Sequence, residues 1–298
     1  MNSEVMNRYH IGRFSVARVG FGAMQLPGPG VFGPPRDRDQ ALAVLRRAVE
    51  LGVDHIDTAQ FYGPDVANEL IREALHPYPA GLVLVSKVGA GRDDQGRWLS
   101  ADRPDELLRG IEDNLRSLGV DQLAAVNLRV HSGAGDPNRP GSLRHDEFDG
   151  QLAAMIKALD AGLIAGIGLS NVTLDHLLFA LDRTEIVCVQ NALNLVDRSS
   201  SPVLDECTKR DIAFVPFFPL GSSFAPDNPV LGNPVVRRVA EQLGHTPAQI
   251  ALAWTLALAP NVLLIPGTSS VRHLEENVAV AEICLDSDTV HELTGAAR

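Results

Sequence analysis

The sequence has no apolar run long enough to cross a membrane. Its longest candidate, "IALAWTLALAPNVLLIP", is broken by Pro260 and Asn261 and reads as buried helix, turn and strand. The opening "MNSEVMNRYHIGRF" lacks the apolar core of a secretory leader, so a cytoplasmic protein is expected. Positive charge is short too: 26 Lys and Arg against 37 Asp and Glu leave a formal net charge of −11. Such a balance argues against general nucleic-acid binding, which needs cations against phosphate, but not against a small anion held by a few local cations. Cysteine is confined to Cys188, Cys207 and Cys284, far apart and without metal-ligand spacing. No metal site and no disulfide framework are expected, and buried thiols in a reducing compartment are the default.

What is present is rhythm. Over 298 residues with 45% hydrophobic content, short apolar runs alternate with amphipathic helical ones. After a segment that reads as a hairpin around Gly12, the strands are "RVGFGAMQ", "DHID", "LVLVSK", "AAVNLRV", "AGIGLS", "EIVCVQN", "IAFVPF" and "VLLIPG". Helical runs such as "RDQALAVLRRAVELG", "RPDELLRGIEDNLRSLG" and "TPAQIALAWTLALA" follow them. Eight strand–helix units without a linker predict an α/β fold of the (β/α)8 TIM-barrel type, one domain over 1–298. The rival is a doubly wound sheet, weakened because no G-x-G-x-x-G follows the first strand. Long connections after the fourth and seventh strands lie on the face where barrel enzymes do chemistry.

The strand ends on that face are polar. Asp57 closes the second, Lys87 the third, Arg129 and His131 the fourth, Ser170-Asn171 the fifth and Gln190-Asn191 the sixth. In "DTAQFYG", Tyr62 follows Asp57 by five residues, and Lys87 ends the neighbouring strand. A tyrosine with its ordinary pKa near ~10 is a poor acid at neutral pH. A neighbouring ammonium favours the phenolate, and a carboxylate can hold that ammonium in place. Asp57, Tyr62 and Lys87 together read as a tuned proton donor.

The motifs "GFGAM", "HIDTAQFYG", "LVLVSK", "GIGLSN", "VQNALN", "TPAQIALAW" and "IPGTSSVRHLEEN", in that order, make the chain resemble the aldo-keto reductases over nearly its whole length. The resemblance implies NAD(P)H-dependent reduction of a small-molecule carbonyl, with Tyr62 as general acid, Lys87 tuning it and Asp57 pairing with Lys87. Gly22, Met24 and Asp57 would border the cofactor, and Ser170, Asn171 and Gln190 would hold its carboxamide. Phe217 stands where the family usually stacks a tyrosine on the nicotinamide; Leu220 and Gly221 would approach the pyrophosphate. Gly267 and His273 replace the family's usual lysine and arginine around the adenosine phosphate, leaving Thr268 and Arg272 there, with Glu276 and Asn277 near the adenine. NADP(H) is expected over NAD(H), by a narrower margin than a full basic clamp gives.

The family's remaining catalytic residue is a histidine at the end of the fourth strand. Here the register puts Arg129 at its position and His131 two residues on, roughly 6.6 Å further along a strand. Strand alternation sends Val126, Leu128 and Val130 to the helices and Asn127, Arg129 and His131 into the barrel. Arg129 is therefore read as the histidine's substitute, able to donate to a carbonyl oxygen but not to shuttle a proton. A bacterial subgroup with "VNLR" here is most similar, and some members reduce pyridoxal, which makes an aromatic aldehyde the candidate substrate. Phe32, Trp98, Phe218 and Phe224 could supply an apolar pocket. The long C-terminal substrate loop of some relatives is expected to be absent, and a monomer is the default. Two rival functions stay open: a nicotinamide-binding redox sensor without turnover, and a lyase using Lys87 as a Schiff-base nucleophile.

Overall fold

The computed structural model describes residues 8–131, 140–221 and 228–296. Strands β1 (Arg8–Ile11) and β2 (Phe14–Ala17) pair antiparallel around Gly12. Then come β3 (Phe21–Gly22), β4 (His55–Asp57), β5 (Val83–Arg92), β6 (Trp98–Ala101), β7 (Ala125–Arg129), β8 (Ile167–Ser170), β9 (Cys188–Gln190) and β10 (Ala213–Phe214). All but β6 run parallel, in the order β10-β9-β8-β7-β5-β4-β3. Residues 262–264 close the curl, since Val262 bridges Phe214 on one side and Leu264 bridges Val19 on the other. The result is a parallel barrel ringed by helices. Among the described residues no helix is long and apolar enough to cross a membrane.

Two cores follow from strand alternation. Val126, Leu128, Ile167 and Leu169 pack outward with helix residues such as Leu107, Ile111 and Leu152. Ala125, Cys188, Ala213, Val215 and Leu263 point inward, and Ile11 and Val16 of the β1–β2 hairpin cover that inner core from below. The bottom is thus plugged, and the strands' carboxyl ends are left for chemistry.

The structure corrects several boundaries read from sequence. "RVGFGAMQ" is strand only at Phe21–Gly22; Ala23–Gln25 is a 3-10 turn. Lys87 does not end its strand: β5 runs on to Arg92 and folds back through β6 as a hairpin over the mouth. Gly89, at φ +104, sits at that exit, where a Cβ would come within 2.4 Å of the Arg129 carbonyl oxygen. A further helix, Ser287–Gly295, follows Val271–Val278, and Trp254 Nε1 donates to its Thr294 Oγ1 at 3.0 Å.

Candidate active site

The register of the strands assembles the site. Gly22 stands beside Asp57, Lys87 beside Asn127, and Arg129 beside Ser170, which neighbours Gln190. Lys87 Nζ forms a buried ion pair with Asp57 Oδ1 and also donates to the Thr58 carbonyl oxygen at 3.1 Å. The ammonium lies 5.1 Å from the Tyr62 ring centroid. Burial works against this cation, but the charges of Asp57 and Tyr62 and hydrogen bonds to both outweigh it and hold its pKa above the ordinary value.

A polar network behind the barrel wall fixes this pair. Thr58 Oγ1 donates to Asn68 Oδ1 at 2.7 Å, Asn68 Nδ2 to Asn114 Oδ1 at 3.0 Å, and Ser86 Oγ to the same oxygen at 2.6 Å. Thr58 follows Asp57 and Ser86 precedes Lys87, so the two reacting strands are tied to helices Val66–Leu75 and Pro104–Leu118. Sequence reasoning missed these asparagines, although each stands on an otherwise apolar helix face.

One cavity of about 500 Å³ gathers Asp57, Tyr62, Lys87, Arg129 and His131 with Gly22, Met24, Gln190, Phe217, Leu220, Gly221, Gly267 and Asn277. Trp98 and Phe218 line it as well. So do Gln25, Phe61 and Ile265, unforeseen residues. Ile265 could have been found, because it ends the eighth barrel stretch as Gln190 ends β9. Phe32 does not line this cavity: its ring packs behind, against Gly96 and 5.5 Å from the Arg92 guanidinium. Phe224 lies outside the described residues.

Ser170 and Asn171 are buried just beyond the cavity wall. Asn171 Nδ2 donates to the Val130 carbonyl oxygen at 2.9 Å, and Gln190 Nε2 to Asp57 Oδ2 at 2.6 Å. Asn171 Oδ1 and Gln190 Oε1 are buried with no hydrogen-bond partner among the described residues. Two such acceptors are costly unless something donates to them. Gly22 and Gly267 meet so closely that a Cβ on either would fall 2.5 Å from a carbonyl oxygen, leaving a bare backbone cradle. Both features fit a nicotinamide cofactor. Thr268, Arg272, His273 and Glu276 sit past the cavity rim, at the helix Val271–Val278. There Arg272 Nη1 pairs with Glu276 Oε1 at 2.9 Å and Nη2 hydrogen-bonds His273 Nε2 at 2.9 Å.

Arg129 Nη1 reaches Ser170 Oγ at 3.4 Å, and its guanidinium centre lies 5.5 Å from the Phe217 ring centroid. Burial lowers its pKa, opposed by the charge of Tyr62. His131 is held below its ordinary pKa by burial and then by the Arg129 charge, with Asp102 and a backbone hydrogen bond at Gly89 opposing. Its Nε2 is buried with no hydrogen-bond partner among the described residues.

A parallel barrel whose carboxyl mouth gathers a tyrosine, a lysine and an aspartate fits an oxidoreductase acting on a carbonyl or the corresponding alcohol. The chain belongs to the aldo/keto reductase family, whose profile matches residues 18–298. It is 48% identical over 292 residues to pyridoxine 4-dehydrogenase of Escherichia coli (strain K12), covering 98% of this chain and 99% of that relative. An uncharacterized oxidoreductase of Schizosaccharomyces pombe is 40% identical over 286 residues, 95% of this chain and 87% of the relative. Among solved structures, a thermostable aldo-keto reductase in complex with the inhibitor epalrestat superposes with a TM-score of 0.79 at 28% identity, covering 97% of this chain and 99% of that one.

Proposed function

We propose that this protein reduces an aldehyde to an alcohol with NADPH, and that pyridoxal or a similar aromatic aldehyde is its substrate. One observation carries the reading: the hydrogen bond from Gln190 to Asp57 joins the Lys87–Asp57 pair to a buried side-chain oxygen, Gln190 Oε1, that has no hydrogen-bond partner among the described residues, in the cavity that Tyr62 also lines. The 48% identical pyridoxine 4-dehydrogenase supports the substrate, as the alcohol side of the same kind of interconversion.

When bound, the nicotinamide cofactor supplies the hydride. Asn171 Oδ1 and Gln190 Oε1 would accept hydrogen bonds from its carboxamide and hold it in place. Phe217 offers a flat surface for the ring. Leu220 and Gly221 would receive the pyrophosphate; Gly267, Thr268, Arg272 and the amides opening the helix at Val271 would receive the adenosine phosphate. Tyr62 gives its proton to the carbonyl oxygen, and the Lys87 ammonium, held by Asp57, stabilises the phenolate left behind. Arg129 donates to the same oxygen as negative charge builds there. His131, Trp98, Phe61 and Phe218 contact the substrate and exclude water.

The described residues at the start of the connections after β7 and β10, His131 and Phe217 to Gly221, line this mouth, and one barrel domain over 1–298 carries the activity as a monomer. Three free thiols, one of them the exposed Cys284, accord with a reducing cytoplasm. Lys87 is a poor Schiff-base nucleophile, because its pairing with Asp57 keeps it an ammonium. The test is a carbonyl panel including pyridoxal, with NADPH and NADH, followed by cofactor absorbance. Steady turnover excludes a sensor without catalysis; no turnover on any carbonyl overturns the proposal.

A further inference from the structure

The hairpin over the mouth carries Trp98, whose indole lines the cavity although the residue is 44% exposed. Burial alone therefore does not hold that ring. Arg92, across the β5–β6 pair, does: its guanidinium centre lies 4.0 Å from the Trp98 centroid. The same group donates from Nη2 to the Gly30 carbonyl oxygen at 2.7 Å and lies 5.5 Å from the Phe32 centroid. Its Nε and Nη1 are buried with no hydrogen-bond partner among the described residues, so it is held mainly by aromatic surface. Burial lowers its pKa accordingly, with Asp93 opposing.

Both anchored elements lead to the proton donor. Trp98 meets Phe61 edge-on at 5.7 Å, and Phe61 meets Tyr62 edge-on at 5.3 Å. On the other side Gly33 N donates to the Gly63 carbonyl oxygen at 3.0 Å, one residue past Tyr62. Val31 in this loop takes a φ of 59, a conformation that β-branched residues avoid, so the loop is held against its preference.

We infer that Arg92 is a positioning residue, clasping the hairpin to the 28–33 loop so that the Trp98 indole forms a fixed wall for a flat aromatic substrate. Selection of aromatic over small aliphatic aldehydes follows, and this inference rests on the carbonyl-reductase reading above. A planar guanidinium can stack on the indole and donate to Gly30 at once; a lysine ammonium keeps the charge but not the stack.

Arg92→Met and Arg92→Lys are compared with wild type on benzaldehyde and propanal. Both variants should raise KM for benzaldehyde about tenfold with kcat within about twofold, and leave KM for propanal nearly unchanged. In a Trp98→Ala background Arg92→Met should add nothing, as a double-mutant cycle between coupled residues requires. Trp254 is fully buried, so a red shift of tryptophan emission in both variants reports release of Trp98. Wild-type KM in Arg92→Lys, equal effects on both aldehydes, or additive effects with Trp98→Ala each overturn the clasp. A wild-type enzyme that reduces neither these aldehydes nor any other carbonyl of the panel overturns the carbonyl reading instead. The emission shift, and its sensitivity to benzaldehyde, then still decide on the clasp.

Discussion

Gln190 donates its side-chain amide to the Asp57 carboxylate at 2.6 Å, while Lys87 takes the other carboxylate oxygen. A carboxylate only accepts, so Gln190 must present Nε2 to it and Oε1 away from it. The residue that would orient the cofactor is thus set by the carboxylate that holds the Lys87 ammonium. Gln190→Leu should weaken NADPH binding by about tenfold, the order expected when a buried polar partner is lost. Fluorescence titration measures this, and unaltered affinity would remove Gln190 from the carboxamide site.

Tyr62→Phe should abolish turnover, with a loss of ~10²–10⁴ in kcat, while cofactor affinity stays near wild type. The ring still packs edge-on against Phe61, so only the hydroxyl is lost. A variant that keeps its rate on a good aldehyde would assign the proton to another group.

The barrel was legible because its strands advertise their faces. In "AAVNLRV" the alternation that sends Val126 and Leu128 to the helices leaves Asn127 and Arg129 inside. The mouth hairpin was not legible. "GAGRDDQGRWLSA" is glycine-rich and polar, so it reads as loop; its order comes from a backbone ladder and from the Arg92–Trp98 contact, both tertiary. Phe32 was misplaced for the same reason, since only the folded loop shows that its ring backs onto Gly96. The helix Ser287–Gly295 buries only Leu293 fully and so has little apolar period to read.

His176 should make stability depend on pH. Burial lowers its pKa from 6.5 to about 4, with His145 adding to this and Asp175 opposing. Its Nδ1 accepts from Thr173 Oγ1 at 2.7 Å, a cap that needs an unprotonated nitrogen. Between pH 6.5 and about 4 the unfolded chain binds more protons at this site than the folded one, so this contribution is full above pH 6.5 and lost as pH falls. His176→Gln keeps an acceptor for the cap and should flatten the melting-temperature profile in that window. Parallel profiles for variant and wild type would exclude His176 as the cause.

Cofactor choice should turn on Arg272 and on what restrains it. Glu276 Oε1 holds its guanidinium at 2.9 Å, and the arginine side chain is 74% exposed. Arg272→Ala should lower the ratio of kcat/KM for NADPH to that for NADH by about tenfold, the scale of one exposed charge-assisted contact. Glu276→Gln should raise it by releasing the guanidinium toward a 2′-phosphate. A ratio indifferent to both changes would place the phosphate elsewhere.

Arg129 should matter to the chemical step more than His131 does. Arg129 pairs in register with Ser170, and a bound carbonyl oxygen between it and Tyr62 would receive its N–H groups as charge develops. One such donor is worth ~3 kcal/mol, so Arg129→Met should cost about a hundredfold in kcat. His131 stands two residues nearer the rim, its pKa held down by burial and by the Arg129 charge, with a buried Nε2 that has no hydrogen-bond partner among the described residues and could meet a polar group of the substrate. His131→Ala should therefore raise KM severalfold and lower kcat little. Removing Arg129 takes away the cation that disfavours His131 protonation. The Arg129→Met enzyme should accordingly show any His131-dependent step in its pH–KM profile at higher pH than wild type. A large kcat loss in His131→Ala beside a near-normal Arg129→Met would reverse the assignment and return the reacting carbonyl to the imidazole.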